Sequence, residues 1–360
     1  MGVWGLIVYK HSNCDFSLNR AGLAVSALLL VFFWGSHQPA YGDDKLESLQ
    51  RQCKQLLHEK KKKEVLKLME SEIAARPADA GLYFLRAKVR EDQKDYEGMI
   101  KDLDRAIAIN PRYTDAFVLR ARANFMLSEM TVSNEYAYRY VQDLEAALRI
   151  SPEHPAANDA RGVYLASRSN YKDAIAAFSK AIAGDKNEYL YFEHRAMAYN
   201  ALGDRKKALP DLQQAAALTK TSYDVWVHLA ETYDALGQYN QALDCYNKVI
   251  KAKPKKIPLV QKRGNFYMKW HRYKEAIADF DKVIADSAFD DDVFRLRGEA
   301  HLALKEFDPA LKDFNEAVEL SPELSENYSA RARAYRAMGK IDSARKDEAN
   351  ALEVKSRRIK

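Results

Sequence analysis

Cysteine is nearly missing: only Cys14, Cys53 and Cys245 occur in 360 residues. Three cysteines so far apart make no disulfide framework. That excludes a small crosslinked fold but not an oxidising compartment, because packed helices need no crosslink. Glycine and proline are also few, 14 and 10, and are scarce outside turns. No glycine-rich phosphate loop, no HExxH and no paired-cysteine spacing occurs, and the carboxylates are spread as on any helix surface. Nucleotide and zinc chemistry therefore have no carrier, and no catalytic residue, cofactor or metal is expected. A strong charge imbalance is absent too: the formal net charge is +6. The basic clusters at Lys60 to Lys63, Lys251 to Lys256 and Lys355 to Lys360 read as solvated turns and tail, so no nucleic-acid partner is expected. The roughly 20 apolar residues of a spanning helix are lacking. Ala21 to Trp34 is an uncharged run of 14, which matches the core of a secretory signal. Ala40 and Gly42 supply the small residues that signal peptidase reads. Residues 1–42 are therefore expected to be a signal peptide cleaved after Gly42, with an uncleaved anchor over 21–34 as the alternative. Either setting puts the rest outside the cytosol, periplasmic or secreted, with membrane contact only through that segment.

What the chain has in quantity is a period. Small residues recur at 34-residue steps at Cys53, Ala87 and Ala121, and again at Gly162, Ala196, Ala230, Gly264, Gly298 and Ala332. The single step of 41, from Ala121 to Gly162, marks a seven-residue insertion within Ser128 to Tyr140, expected to lengthen a turn. The stretch Trp226 to Pro254 shows the unit best. Two amphipathic segments flank Leu236-Gly237, so the unit reads as helix, turn, helix. Ala230 and Ala242 mark the close approach of the two helices, and Ala174, Ala208, Ala276, Ala310 and Ala344 repeat the second of these places. Bulky Trp226, Tyr233 and Tyr246 fill the complementary holes. Phe178, Leu212, Phe280 and Phe314 recur at the Tyr246 place. Pro254 ends the unit, and Pro77, Pro111, Pro152 and Pro322 repeat it.

Trp226, Leu229-Ala230, Tyr233, Ala242, Tyr246 and Pro254 together resemble the tetratricopeptide repeat, a helix-turn-helix unit of about 34 residues. The resemblance implies an all-α fold, a right-handed α-solenoid of nine units. They begin near Leu46, Ala80, Thr114, Pro155, Tyr189, Tyr223, Ile257, Asp291 and Ser325. Residues 43–79 form a divergent first unit, 80–354 the rest of the solenoid and 355–360 a basic tail. Glu348 replaces the bulky aromatic in the last unit, as suits a terminal helix with a polar face. Asn327-Tyr328-Ser329 has the form of a glycosylation sequon but falls on a predicted helix.

Arginine precedes the small residue in seven units. In six of them Asp stands at the matching place on the second helix: Arg86 with Asp102, Arg120 with Asp143, Arg195 with Asp211, Arg263 with Asp279, Arg297 with Asp313, and Arg331 with Asp347. Leu229 replaces Arg in the one unit where Cys245 replaces Asp, which predicts that the two places touch. Arg161, facing Ala177, departs from the rule. The row reads as a structural ladder of partly buried ion pairs.

If the resemblance holds, first helices line a concave groove. Its candidate partner-binding places are Val118, Arg122, Phe125, Asp159, Glu193, Met197, Asn200, Asp224, Val227, Glu231, Asp234 and Arg295. The middle of that row carries acids and no bases, so it predicts a protein or peptide partner bringing basic and apolar side chains and held in a salt-dependent way. Tyr136 and Tyr138 in the insertion are candidate rim contacts. The family's chaperone-tail clamp is absent, since Asn265 has Gln261 where Lys is needed. His194 and His228 occupy equivalent places in adjacent units with nothing to complete a metal site, and are expected to be satisfied or exposed. The function expected is a non-enzymatic binding scaffold in the cell envelope. The alternative is a structural or assembly subunit of an envelope secretion or polymer-export machine.

Overall fold

The structure is a computed structural model that describes residues 44–59, 61–131, 133–219, 221–286 and 289–357. The expected leader over 1–42 lies outside the described residues, as does Cys14 within it.

The described residues form eighteen helices and no strand, paired as nine helical hairpins. The first helix of each hairpin is called A and the second B. Repeat 1 pairs Asp44–His58 with Lys62–Ala75, repeat 2 pairs Ala80–Glu91 with Tyr96–Ile109, and repeat 3 pairs Thr114–Thr131 with Asn134–Ile150. Repeat 4 pairs Pro155–Ser167 with Tyr171–Gly184, and repeat 5 pairs Tyr189–Ala201 with Arg205–Leu218. Repeats 6 and 7 are Tyr223–Ala235 with Tyr239–Ala252, and Ile257–Lys269 with Tyr273–Asp286. Repeats 8 and 9 are Asp291–Ala303 with Phe307–Leu320, and Ser325–Ala337 with Ile341–Arg357. The chain divides into two compact units, Met1–Thr219 holding repeats 1–5 and Lys220–Lys360 holding repeats 6–9. Within each unit every helix A packs on its own helix B, and each helix B packs on the next helix A.

One backbone device stops helix A in seven repeats. Lys94, Ser169, Gly203, Gly237, His271, Lys305 and Gly339 all have positive φ, between +55° and +81°. The residue after each turns its N–H back into the helix, as in Gln238 N–H to Tyr233 O and Glu306 N–H to His301 O, both 2.9 Å. This is a left-handed helix stop that satisfies otherwise orphaned carbonyls. Repeat 3 has no such stop among its described residues, and there the expectation of a longer turn is corrected. Its helix A has 18 residues and its helix B 17, against 13 and 14 in repeat 6. The insertion extends both helices because Ser128, at the place of the positive-φ residue, continues the helix and donates to Phe125 O.

The hairpins close through matched sizes. Glycine stands at the small place of helix A wherever phenylalanine faces it from helix B: Gly162 with Phe178, Gly264 with Phe280, and Gly298 with Phe314. A Cβ on these glycines would lie 2.4, 2.7 and 2.7 Å from the facing ring, well inside van der Waals contact. Where helix B offers leucine, at Leu103, Leu144 and Leu212, the facing residue is Ala87, Ala121 or Ala196, and all six are buried. In repeat 1 Cys53 and Met69 take the two places and are likewise buried. The Cys53 and Cys245 thiols are each pushed up to about 11 by burial.

Candidate binding surfaces

The arginine before the small residue reaches across its own hairpin. In all six Arg–Asp repeats Nε and Nη2 donate to the two oxygens of one aspartate at 2.5–3.1 Å. Five of these arginines also donate Nη1 backwards, to a side chain 16 residues earlier on helix B of the preceding repeat. The acceptors are Asp104, Ser179, Asn247, Asp281 and Asn315, at 2.6–3.0 Å. Each guanidinium thus joins three helices. Its bond to aspartate holds the Arg297 charge above the ordinary arginine pKa. In repeat 6 the substitutes Leu229 and Cys245 are both buried. Arg161 is exposed while Ala177 is buried. The ladder turns its carboxylates inward, so it offers no free anion-binding row.

The A-helix faces are wired as well. In unit 1, Arg122 Nε meets Glu91 at 3.0 Å, His154 Nε2 lies 3.0 Å from Asp115, and His194 Nδ1 lies 2.8 Å from Asp159. In unit 2, Lys262 binds Glu231 at 2.5 Å and Lys269 binds Asp234 at 2.8 Å. Trp270 Nε1 donates to the other Asp234 oxygen at 2.6 Å. Arg295 pairs with Asp292 and with Glu299 at 3.0 Å, and Arg333 reaches the same Glu299 at 2.8 Å. The expected row of acids without bases is therefore corrected. The cation comes from the next repeat, so Asp159, Glu231 and Asp234 are already paired and do not wait for a basic partner. A spacing of 31 or 35 residues, Glu231 to Lys262 and Asp234 to Lys269, was the overlooked sequence signal.

Burial sorts the remaining candidates. Glu193, Asn200 and Val227 are only 4%, 7% and 6% exposed, because neighbouring helices cover them; they are removed from any open surface. Val118, Phe125 and Met197 in unit 1 and Asp224 in unit 2 are half-buried. Phe125 continues into an aromatic file, its ring 5.5 Å from Tyr140, which lies 5.9 Å from Tyr164. Tyr140 is buried and donates its hydroxyl to Ala160 O at 2.8 Å. Of the rim candidates, Tyr136 packs against the core of repeats 2 and 3, and Tyr138 stands 64% exposed. His194 is buried, its Nε2 unpartnered among the described residues. Burial opposes its charge, but the Asp159 carboxylate, with Glu193 and Glu188, raises its pKa above the ordinary imidazole value. His228 is half-buried. Among the described residues no group of three His, Cys, Asp or Glu is placed to hold a metal ion, and no helix is long and apolar enough to cross a membrane. Asn327 of the sequon is buried, its amide donating to Asp291 and to Ala317 O.

Family models of the tetratricopeptide repeat match residues 80–113, 141–188, 199–262 and 262–325. The chain belongs to the tetratricopeptide repeat proteins, and its described residues form nine helical hairpins. Among solved structures, the C-terminal part of a TPR repeat-containing protein from Cytophaga hutchinsonii is similar at 24% identity. That match covers 54% of this chain and 78% of that one, with a TM-score of 0.49. MamA from Desulfovibrio magneticus RS-1 matches at 19% identity over 47% of this chain and 96% of that one, TM-score 0.44. A chain of the APC/C hetero-tetramer Cut9-Hcn1 matches at 17% identity over 94% of this chain and 61% of its own length, TM-score 0.48. These are likenesses of fold. No curated protein sequence matches the chain.

Proposed function

We propose that this protein is a non-catalytic scaffold of an extracytoplasmic compartment that holds a protein or peptide against the A-helix face of unit 1. The observation that carries the reading is the pairing of charges on that face. With Glu91, Asp115 and Asp159 each met by a neighbouring repeat, what the face leaves half-open is Val118, Phe125, Val163 and Met197. A partner segment of apolar side chains with few charges fits it, docked in the manner of a helix or extended peptide in a groove. The extracytoplasmic setting is supported by the apolar run Ala21 to Trp34 and by Ala40 and Gly42 after it.

The test is capture from the native cell with a photoreactive residue at Val118 or Met197, compared with one at exposed Lys172. A partner trapped from the first two positions and not from the third is the expected result. Val118→Glu with Met197→Glu should abolish capture while the helical circular dichroism stays unchanged. Equal trapping from all three positions would remove the groove from the reading. N-terminal sequencing of the mature protein should find Asp43 first, and an intact leader would replace cleavage by anchoring.

A further inference from the structure

Repeat 4 keeps one half of a ladder rung and lacks the other. Arg161 stands at the place of the six paired arginines, but the matching place on helix B holds Ala177. Repeat 6 has lost both halves together, as Leu229 and Cys245, and so leaves no charge behind. Repeat 4 leaves a guanidinium that is exposed and, among the described residues, has no ion pair or side-chain hydrogen bond. The place 16 residues earlier, on helix B of repeat 3, carries Glu145, which is also exposed and does not pair with it. A second cation follows on the same helix face. Arg168 lies seven residues on, nearly two turns and about 10 Å along the axis, with its guanidinium 5.0 Å from the centre of the Tyr164 ring. It too is exposed and enters no ion pair among the described residues. From repeat 2 onward the same place is uncharged in every other repeat, from Gln93 to Met338.

The neighbouring rungs show what such a guanidinium takes. Arg120 and Arg297 each hold two carboxylates, one from their own helix B, Asp143 or Asp313, and one from helix B of the preceding repeat, Asp104 or Asp281. Repeat 4 supplies Glu145 for the second of these places and nothing for the first. We infer that the Arg161 edge of repeat 4 is a docking site for an acidic segment of a partner protein. One carboxylate of that segment takes the place of the missing aspartate, and a second reaches Arg168. The arginine fork bonds a carboxylate through two parallel N–H groups, so the site selects by shape as well as by charge. Both guanidiniums are exposed, so the contact is salt-sensitive. The inference rests on the ladder side of repeat 4 and does not depend on what the A-helix face of unit 1 holds.

Fluorescence anisotropy of a labelled hexaglutamate peptide against the purified full chain tests it. The peptide should bind at low salt and be released as the salt is raised. Arg161→Ala, at an exposed position, should weaken binding by about tenfold, as loss of a charge-assisted pair does, with the helical circular dichroism unchanged. Ala177→Asp supplies the missing half of the rung from within. Arg161 is then drawn onto its own hairpin, and binding should fall as far although no cation has been removed. Ala183→Asp, at an exposed position six residues further along the same helix, adds the same charge away from the gap and should leave binding nearly unchanged. A chain that does not bind the peptide at low salt overturns the inference. So does binding unmoved by Arg161→Ala or by Ala177→Asp, or binding that Ala183→Asp weakens as much as Ala177→Asp.

Discussion

At the scale of the residue, a rule of size and a rule of charge recur through most of the hairpins, and each makes a prediction with its own control. Gly298 lies under the Phe314 ring, where a Cβ would approach to 2.7 Å. Gly298→Ala should therefore destabilise unit 2 by about 1–3 kcal/mol, the cost of overpacking, despite alanine being the better helix former. Combining it with Phe314→Leu recreates the Ala87–Leu103 arrangement. Urea unfolding of the four proteins in the cycle should then show the two changes costing less together than their sum. The ladder behaves likewise. Arg297→Leu strands Asp313, which is 2% exposed, and should cost about 3–5 kcal/mol as an uncompensated buried charge. Arg297→Leu with Asp313→Cys copies Leu229 and Cys245 and should recover most of that loss in the same measurement. Equal costs for the single and double variants would show that the ladder carries no buried charge.

At the scale of the element, the turn between helices A and B has one backbone shape and several sequences. Gly237 and Gly339 announce it, but Lys94, Ser169, His271 and Lys305 adopt positive φ without glycine's freedom. A side chain there is strained by about 1 kcal/mol. Lys305→Gly should accordingly raise the thermal midpoint by a few degrees, and Gly339→Ala should lower it. Calorimetry that found the reverse order would mean that the lysine side chain contributes more than its backbone loses. These turns also show what was legible in the sequence. The 34-residue period marked out the nine hairpins, and the Arg and Asp places, 16 residues apart or 23 across the insertion, gave the ladder, because both repeat within one unit. The fate of the insertion was hidden, since nothing in Ser128 to Tyr140 says whether extra residues join a turn or a helix. The A-face charges were hidden for another reason. Glu231 with Lys262 and Asp234 with Lys269 meet only once the register between adjacent helices is known, so a row read within single repeats showed acids alone.

At the scale of the molecule, a repeat protein's stability is close to a sum of repeat terms and nearest-neighbour terms, so the chemistry of one junction is felt locally. The A-face junctions of the two units differ in this chemistry. Unit 2 ties its repeats with Lys262, Lys269 and Arg333, whereas repeats 4 and 5 of unit 1 are tied by the buried pair of His194 and Asp159. Burial disfavours the imidazolium, but Asp159, Glu193 and Glu188 outweigh it and leave the folded pKa raised. A raised folded pKa gives stability that is fully present below the unfolded value, about 6.5 for histidine, and is lost as the pH climbs through the folded value. Moving from about pH 6 to about pH 9 should therefore loosen repeats 4 and 5 and leave repeats 6 to 9 largely unchanged, lysine and arginine keeping their charge across most of that range. Hydrogen exchange read by mass spectrometry, corrected for the intrinsic pH dependence of the amides, resolves the two regions in one experiment. His194→Gln keeps a polar side chain but cannot titrate, so in that variant the difference between the two pH values should disappear from repeats 4 and 5. If the pH effect persists there, the loosening comes from another group and the pair is merely a hydrogen bond.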